Sequence, residues 1–232
     1  MKIKYLQHEA TEGPGHIAQW AFDNKHTIEG VMLFNNEALP SLETFDLLVI
    51  LGGSMGMDDL QQFPWIDSEK EYIRKAVFEG KSVLGISLGS HLLADALGAK
   101  VIKNRSRAIG WQEVTTSAEA TETSLGRILP KNYMAFNWHS DKFELPPGGY
   151  HLGYTDGCFN QGFVWKDRVV GLQYKSEVTA ESVQYLSAAY DRLMKKSRQT
   201  AAKISDSAYI RQANSTMDSV LSYFEKKAER CA

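Results

Sequence analysis

Apolar positions in the first hundred residues fall into short runs separated by longer, mixed stretches. Ile3 to Gln7 reads as a first strand. His8 to His16 is a loop in which EGPG is a strong turn signal. Ile17 to Phe22 predicts a short helix, and Thr27 to Phe34, rich in β-branched and apolar residues, a second strand. Phe45 to Leu51, FDLLVIL, is an apolar run broken only by Asp46 and ends in Gly52-Gly53, as suits a central parallel strand covered on both faces. After the loop GGSMGMDD, Pro64 opens a predicted helix of about sixteen residues ending near Gly80, with Trp65, Ile66, Tyr72, Ile73 and Val77 on its apolar face. Lys100 to Lys103 is a further short strand.

The stretch between, SVLGISLGSHLLADALG from Ser82 to Gly98, is the most informative. An apolar run (Val83, Leu84, Ile86) passes through a turn with Gly85 and Gly89 around Ser87. It leaves as a helix with Leu92, Leu93, Ala96 and Leu97 on one face. Strand, tight turn and helix, with a nucleophile-type side chain between glycines, describe a nucleophile elbow. Such a turn exposes a hydroxyl near unpaired N–H groups at a helix start, which can hold developing negative charge. A buried strand-to-helix connection with packing glycines shares the same pattern.

From Ile109 to Tyr174 the period shortens. GWQEVTTS, YMAFNWHS, YHLGYT, GFVWKD and VVGLQY are strand-like pieces separated by turns such as PPGG and TDG. Thr179 to about Lys203 predicts one long amphipathic helix and Ala208 to Lys227 another, with Ser205-Asp206-Ser207 offering N-caps. The expected fold is therefore α/β: a doubly wound, mostly parallel sheet flanked by helices, with an antiparallel extension. One domain over residues 1–232 is expected, its last thirty or so residues forming a C-terminal helical extension. Ligands bind such sheets at the carboxyl ends of strands, where both the Gly52-Gly53 loop and the Ser87 turn fall.

Composition narrows the partners. With 26 basic against 28 acidic residues, there is no electrostatic reason to expect nucleic acid or an anionic membrane. No run of eighteen apolar residues suggests a membrane span. The N-terminal MKIKYLQHEA lacks the apolar core of a signal peptide. Two cysteines, Cys158 and the penultimate Cys231, make a structural disulfide unexpected and a reducing cytoplasm the natural compartment. No two of the six histidines lie four residues apart as a helical metal-ligand pair would, and neither a metal nor a cofactor is expected.

Several separated segments together resemble one family, the class I glutamine amidotransferases, and within it the stand-alone branch similar to the amidotransferase part of GMP synthase. They are ILGGSMGMDD, PWIDSEKEYIRKA, LGISLGSHLLADALG, AIGWQEV, NWHSDKFELPPG, CFNQGF and VVGLQYKSEVT, in the family's order and spacing. The resemblance implies a cysteine nucleophile at the elbow, a C-terminal histidine base and a glutamate two residues later that orients it. Here Ser87 stands at the cysteine position and Lys175 at that of the histidine, while Glu177 is kept. His91 replaces a glutamine, and Ala108 replaces a glutamate before Gly110-Trp111. Gly52 and Gly53 match the loop that supplies one oxyanion-hole N–H, from Gly53, and Leu88 would supply the other. The resemblance also implies a pocket for glutamine or a γ-glutamyl compound, with Gly52, His91 and His139 beside it. The partner it implies is a separate synthetase.

The substitutions bear on the chemistry. A thiol with pKa ~8.5 is readily ionised by an imidazole, whereas a serine hydroxyl needs a stronger, aligned base. An unperturbed lysine, with pKa ~10.4, is neutral in roughly one molecule in a few thousand at pH 7. Lowering it to 7 takes about 4–5 kcal/mol of bias, and Glu177, two residues away along a strand, would oppose it. An ion pair between Lys175 and Glu177 is thus expected. A lone Cys-to-Ser change would fit a deliberate trapping substitution but would leave Lys175, His91 and Ala108 unexplained. A family member with a degenerate glutaminase centre and a retained pocket is the reading these residues favour. The alternatives are an amidase using Ser87 with Lys175, His91 or His139, and a structural scaffold. A true α/β-hydrolase with its G-x-S-x-G motif would need a late histidine, and none follows His151. His139 is either a ligand contact or a strand histidine sharing a face with Asp141. His91 either reaches Ser87 or fills the pocket side. His8 and His16 are expected to be solvated, Trp65, Trp111, Trp138 and Trp165 to be packing groups, and the basic run Arg192 to Arg198 to be a solvated helix face.

Overall fold

The computed structural model describes residues 1–56, 59, 62–63, 65–189 and 199–230. In chain order the elements are β1 (Lys2–Gln7), α1 (His16–Asp23), β2 (Thr27–Met32), β3 (Leu47–Ile50), α2 (Trp65–Phe78), β4 (Ser82–Ile86), α3 (Leu88–Ala96), β5 (Val101–Thr116), β6 (Asn132–Phe143), β7 (Gly149–Thr155), β8 (Cys158–Trp165), β9 (Val169–Leu172), α4 (Ala180–Ala189) and α5 (Ser207–Glu229). The strands form one sheet in the order β2-β1-β3-β4-β9-β8-β7-β5-β6. The ladders from β2 to β9 are parallel and those from β9 to β6 antiparallel. The α/β expectation holds, and the antiparallel extension is as wide as the parallel part.

Side-chain alternation assigns the two faces of the parallel half. Leu47 and Val49 of β3, with Leu84 and Ile86 of β4, join Ile17 and Trp20 of α1 and Val220, Leu221 and Phe224 of α5 in one core. Leu48 and Ile50, with Val83, face the other way onto Ile66 and Ile73 of α2 and Leu92 and Leu93 of α3. Apolar runs cover both faces because neither meets water, which is why these strands carry no polar alternation. Helix α5 starts where expected: Asp206 accepts a hydrogen bond from Ala208 N at 2.8 Å.

Some expected boundaries are revised. The second strand ends at Met32 and gives way to a 3-10 turn over Leu33–Asn35. The pieces around Lys103 and Gly110 belong to one strand, β5, with a register shift between Lys103 and Ala108. The helix expected from Thr179 to Lys203 is described over Ala180–Ala189, residues 190–198 lie outside the described residues, and Gln199 and Thr200 are not helical. Gln199 is held instead on β5, accepting from Trp111 N at 3.0 Å and donating to Trp111 O at 2.6 Å. A single helical turn, Ala201–Ile204, follows. Pro64, the run Arg192 to Arg198 and Cys231 lie outside the described residues. No described helix is long and apolar enough to cross a membrane.

Candidate functional site

The carboxyl ends of β1, β3 and β4 meet the ribbon of β5 and β6 around a cavity of about 300 Å³. Glu12 enters from the loop after β1, and Gly53, Ser54, Met55, Gly56 and Asp59 from the loop after β3. Ser87, Leu88 and His91 come from the β4–α3 turn, and Lys103, Arg107, Trp138, His139 and Asp141 from the ribbon. The antiparallel half of the sheet thus supplies a wall that a purely parallel sheet would lack.

The turn at Ser87 is sharp for a reason visible in its neighbours. Ser87 sits at φ 54°, ψ −113°, a strained conformation for a residue with a side chain. Its N–H donates to Leu172 O at 2.8 Å, and its carbonyl accepts from Ser90 N at 2.9 Å. A Cβ on Gly89 would lie 2.1 Å from Ile50 O, so only glycine lets α3 press this closely on β3. Ser87 is only 5% exposed, and no described residue hydrogen-bonds its hydroxyl.

Lys175 does not line this cavity. β9 ends at Leu172, and Lys175 makes a single bridge to Phe136. Its Nζ pairs with Glu12 Oε2 at 2.5 Å. The expected partner, Glu177, is therefore replaced by Glu12, because the chain leaves the strand before the two-residue alternation can act. Glu12, Gly52, Lys175 and Glu177 line a smaller recess next to the main cavity, and Glu12 borders both. Burial pulls the Lys175 ammonium down, but the charges of Glu12 and then Glu177 outweigh it and hold the group above the usual lysine range. Burial pushes the Glu177 carboxyl up to about 7 despite Lys175, and its Oε2 has no hydrogen-bond partner. The pair also packs closely on Gly52: a Cβ there would lie 2.1 Å from Lys175 Nζ, so a larger residue would displace the lysine tip.

The two histidines expected at the pocket do line it. His91 is buried, with Nε2 3.0 Å from Gln173 Oε1 and its ring edge-on to Phe143. Burial lowers its pKa, against the hydrogen bond to Gln173. His139 Nδ1 donates to the carbonyl of Asp141 at 2.9 Å, and Nε2 lies 3.2 Å from Asn137 Oδ1. Burial, helped by His91, lowers His139 to about 4, so the ring is neutral at pH 7.

Two expectations fail and one is extended. His8 is buried, not solvated: Nδ1 is 3.0 Å from Gly52 O, Nε2 is 2.9 Å from Glu69 Oε1, and the ring stacks on Trp65. His16 bonds Asp218 at 2.7 Å and ties α1 to α5. Of the tryptophans, Trp111 is core, its indole donating to Ile204 O, whereas Trp138 also lines the cavity. Glu12, Lys103 and Arg107 were not singled out by sequence. Glu12 had a usable signal, since it lies just past the carboxyl end of a parallel strand. Cys158 is buried and unpaired, and burial raises its thiol, which makes it inert. Among the described residues no group of three or more His, Cys, Asp or Glu is placed to hold a metal ion.

The family model described as glutamine amidotransferase class-I matches residues 19–187. The glutamine amidotransferase-like protein YfeJ of Salmonella typhimurium is 31% identical over 80% of this chain and 80% of its own length. A glutamine-hydrolyzing GMP synthase subunit from Haloarcula marismortui is 29% identical over 56% of this chain and 64% of its own. A crystal structure of a glutamine amidotransferase from Thermotoga maritima is similar over 97% of both chains, with a TM-score of 0.88 and 27% identity.

Proposed function

Since the chain belongs to the class I glutamine amidotransferase family, we propose that it is a member whose glutaminase centre has lost its chemistry and whose pocket still binds a small amide or amino-acid ligand. The observation that carries this reading is the Lys175–Glu12 pair. A serine hydroxyl reacts only when a neighbouring base takes its proton. Lys175 is the residue at the base position, and Glu12 keeps it an ammonium with no lone pair to offer. His139, with a pKa of about 4, is too weak a base to replace it, and burial lowers the pKa of His91, whose Nε2 is held by Gln173.

The cavity keeps what binding needs. The Gly53 and Leu88 N–H groups are the donors for a ligand oxygen, at the loop after β3 and the first turn of α3. Lys103 and Arg107 bring positive charge to the ribbon side, and Glu12, Asp59 and Asp141 negative charge around it. A zwitterion such as glutamine or a γ-glutamyl compound suits that distribution. The chain acts as one domain over residues 1–232. The partner this reading suggests is a synthetase subunit, since the Haloarcula relative is named as a subunit of GMP synthase. The competing reading is an amidase that uses Ser87.

Calorimetric titration with L-glutamine, followed by recovery of the ligand, tests the proposal. Saturable binding with intact glutamine recovered is the expected result. Conversion to glutamate and ammonia that disappears in Ser87→Ala would replace this reading with the amidase.

A further inference from the structure

The buried pair of His8 and Glu69 lies outside the chemistry discussed so far, yet it touches the loop on which the pocket depends. Both side chains are fully shielded from solvent. His8 Nδ1 faces the Gly52 carbonyl at 3.0 Å. Its Nε2 faces both carboxylate oxygens of Glu69, at 2.9 and 3.1 Å. A carbonyl and a carboxylate only accept, so both ring nitrogens must donate, and an imidazole with two N–H groups is a cation. The Trp65 ring stacks on it with centroids 5.3 Å apart, a favourable partner for a cation.

The consequence follows from the planarity of one peptide. The Gly52 carbonyl and the Gly53 N–H belong to the same unit, and in a trans peptide they point in opposite directions. Holding the carbonyl towards His8 therefore fixes the opposite direction for the N–H of Gly53, a residue that lines the cavity. We propose that His8 and Glu69 form a buried cationic clamp that sets the direction of the Gly53 N–H, making them positioning residues for the oxygen-binding end of the cavity. The inference rests on the reading that this N–H receives a ligand oxygen. Glycine at 53 cannot hold itself in place by packing, and a Cβ there would lie 2.4 Å from Met55 Sδ. The orientation has to come from outside the loop.

Deprotonation has a definite effect on this arrangement. Burial opposes the charge on His8, but Glu69, the Gly52 carbonyl and the charge of Glu12 outweigh it, and the pKa is raised. These are the charged and polar groups that face the ring from α2, the β3 loop and the β1 loop. When the proton leaves, the Nε2–H facing the carboxylate is the one retained. Nδ1 then presents a lone pair to the Gly52 oxygen, and the anchor becomes a repulsion.

Proton–nitrogen NMR of the full chain tests the clamp without needing a ligand. At pH 7 the His8 ring should show two protonated nitrogens. As pH rises, the His8 signals and the Gly53 amide should move together with one midpoint above 6.5. Glu69→Gln removes the charge that favours the cation, and at pH 7 it should place the Gly53 amide near the wild-type high-pH position. Rescue by Glu69→Asp should move it back. A Gly53 amide that ignores both pH and Glu69→Gln would overturn the proposal, as would a singly protonated ring at pH 7. Calorimetry with L-glutamine adds a second readout: binding should weaken about tenfold in Glu69→Gln, the scale of one lost hydrogen bond. Unchanged affinity with a displaced amide would also overturn the positioning role. If wild type does not bind L-glutamine, the pocket reading falls while the amide signals still decide the clamp.

Discussion

Ser87 holds φ 54° and ψ −113° although its hydroxyl has no described hydrogen-bond partner. The strain belongs to the elbow's architecture. Ser87→Gly should therefore stabilise the fold by about 1 kcal/mol, read from the urea midpoint, because glycine occupies this region without a Cβ penalty. Glu177 gives a second prediction at this scale. Its carboxyl binds a proton more tightly when folded, with a pKa about 7 against an ordinary 4.5. Folding then takes up protons, so its contribution lowers stability as pH rises from about 4.5 to about 7. Glu177→Gln should shrink that decline by about 1–3 kcal/mol, measured as urea stability at pH 5 and pH 8. An unchanged pH dependence would mean that the carboxyl is not perturbed. The elbow position was legible in sequence because its glycines are local. The charged state of Lys175 was legible too, but its partner was not, because Glu12 lies 163 residues away. His8 misled for the same reason: a histidine beside a Gly-Pro loop looks solvated until Glu69 and Trp65 are brought to it by α2.

Among the elements, α3 is the one most closely fitted. Residues Leu88 to Ala94 are buried without interruption, and the helix packs against β3 and β4 through Gly85 and Gly89, whose added Cβ atoms would meet backbone at 2.5 and 2.1 Å. Gly89→Ala should cost about 1–3 kcal/mol by overpacking, visible as a lowered urea midpoint, and should shift the Ser87 turn because the helix cannot back away without moving it. A neutral Gly89→Ala variant would contradict the close approach. The apolar parallel strands were legible because burial on both faces leaves an unambiguous run. That the helix expected from Thr179 to Lys203 is interrupted at Gln199 was not, because amphipathic periodicity does not register a capture such as that of Gln199 by the Trp111 backbone. Strand β5 was read as two pieces because the shift between Lys103 and Ala108 breaks its alternation.

For the whole molecule, the division of the sheet explains the site. The parallel half brings three strand ends to one edge, and the antiparallel half folds a ribbon over them, so the cavity has a floor of loops and a wall of strand residues. Because strand ends and ribbon form the walls, the proposed loss of glutaminase chemistry would leave the cavity in place. On the proposed reading, binding and catalysis are separable, and the cavity holds a ligand without cleaving it. The most direct test is to incubate the protein with a glutamine-derived chloroketone and determine its mass. The account predicts no adduct on Ser87 under conditions that fully label a cysteine-containing member of the family. A stoichiometric adduct that is absent in Ser87→Ala would contradict it.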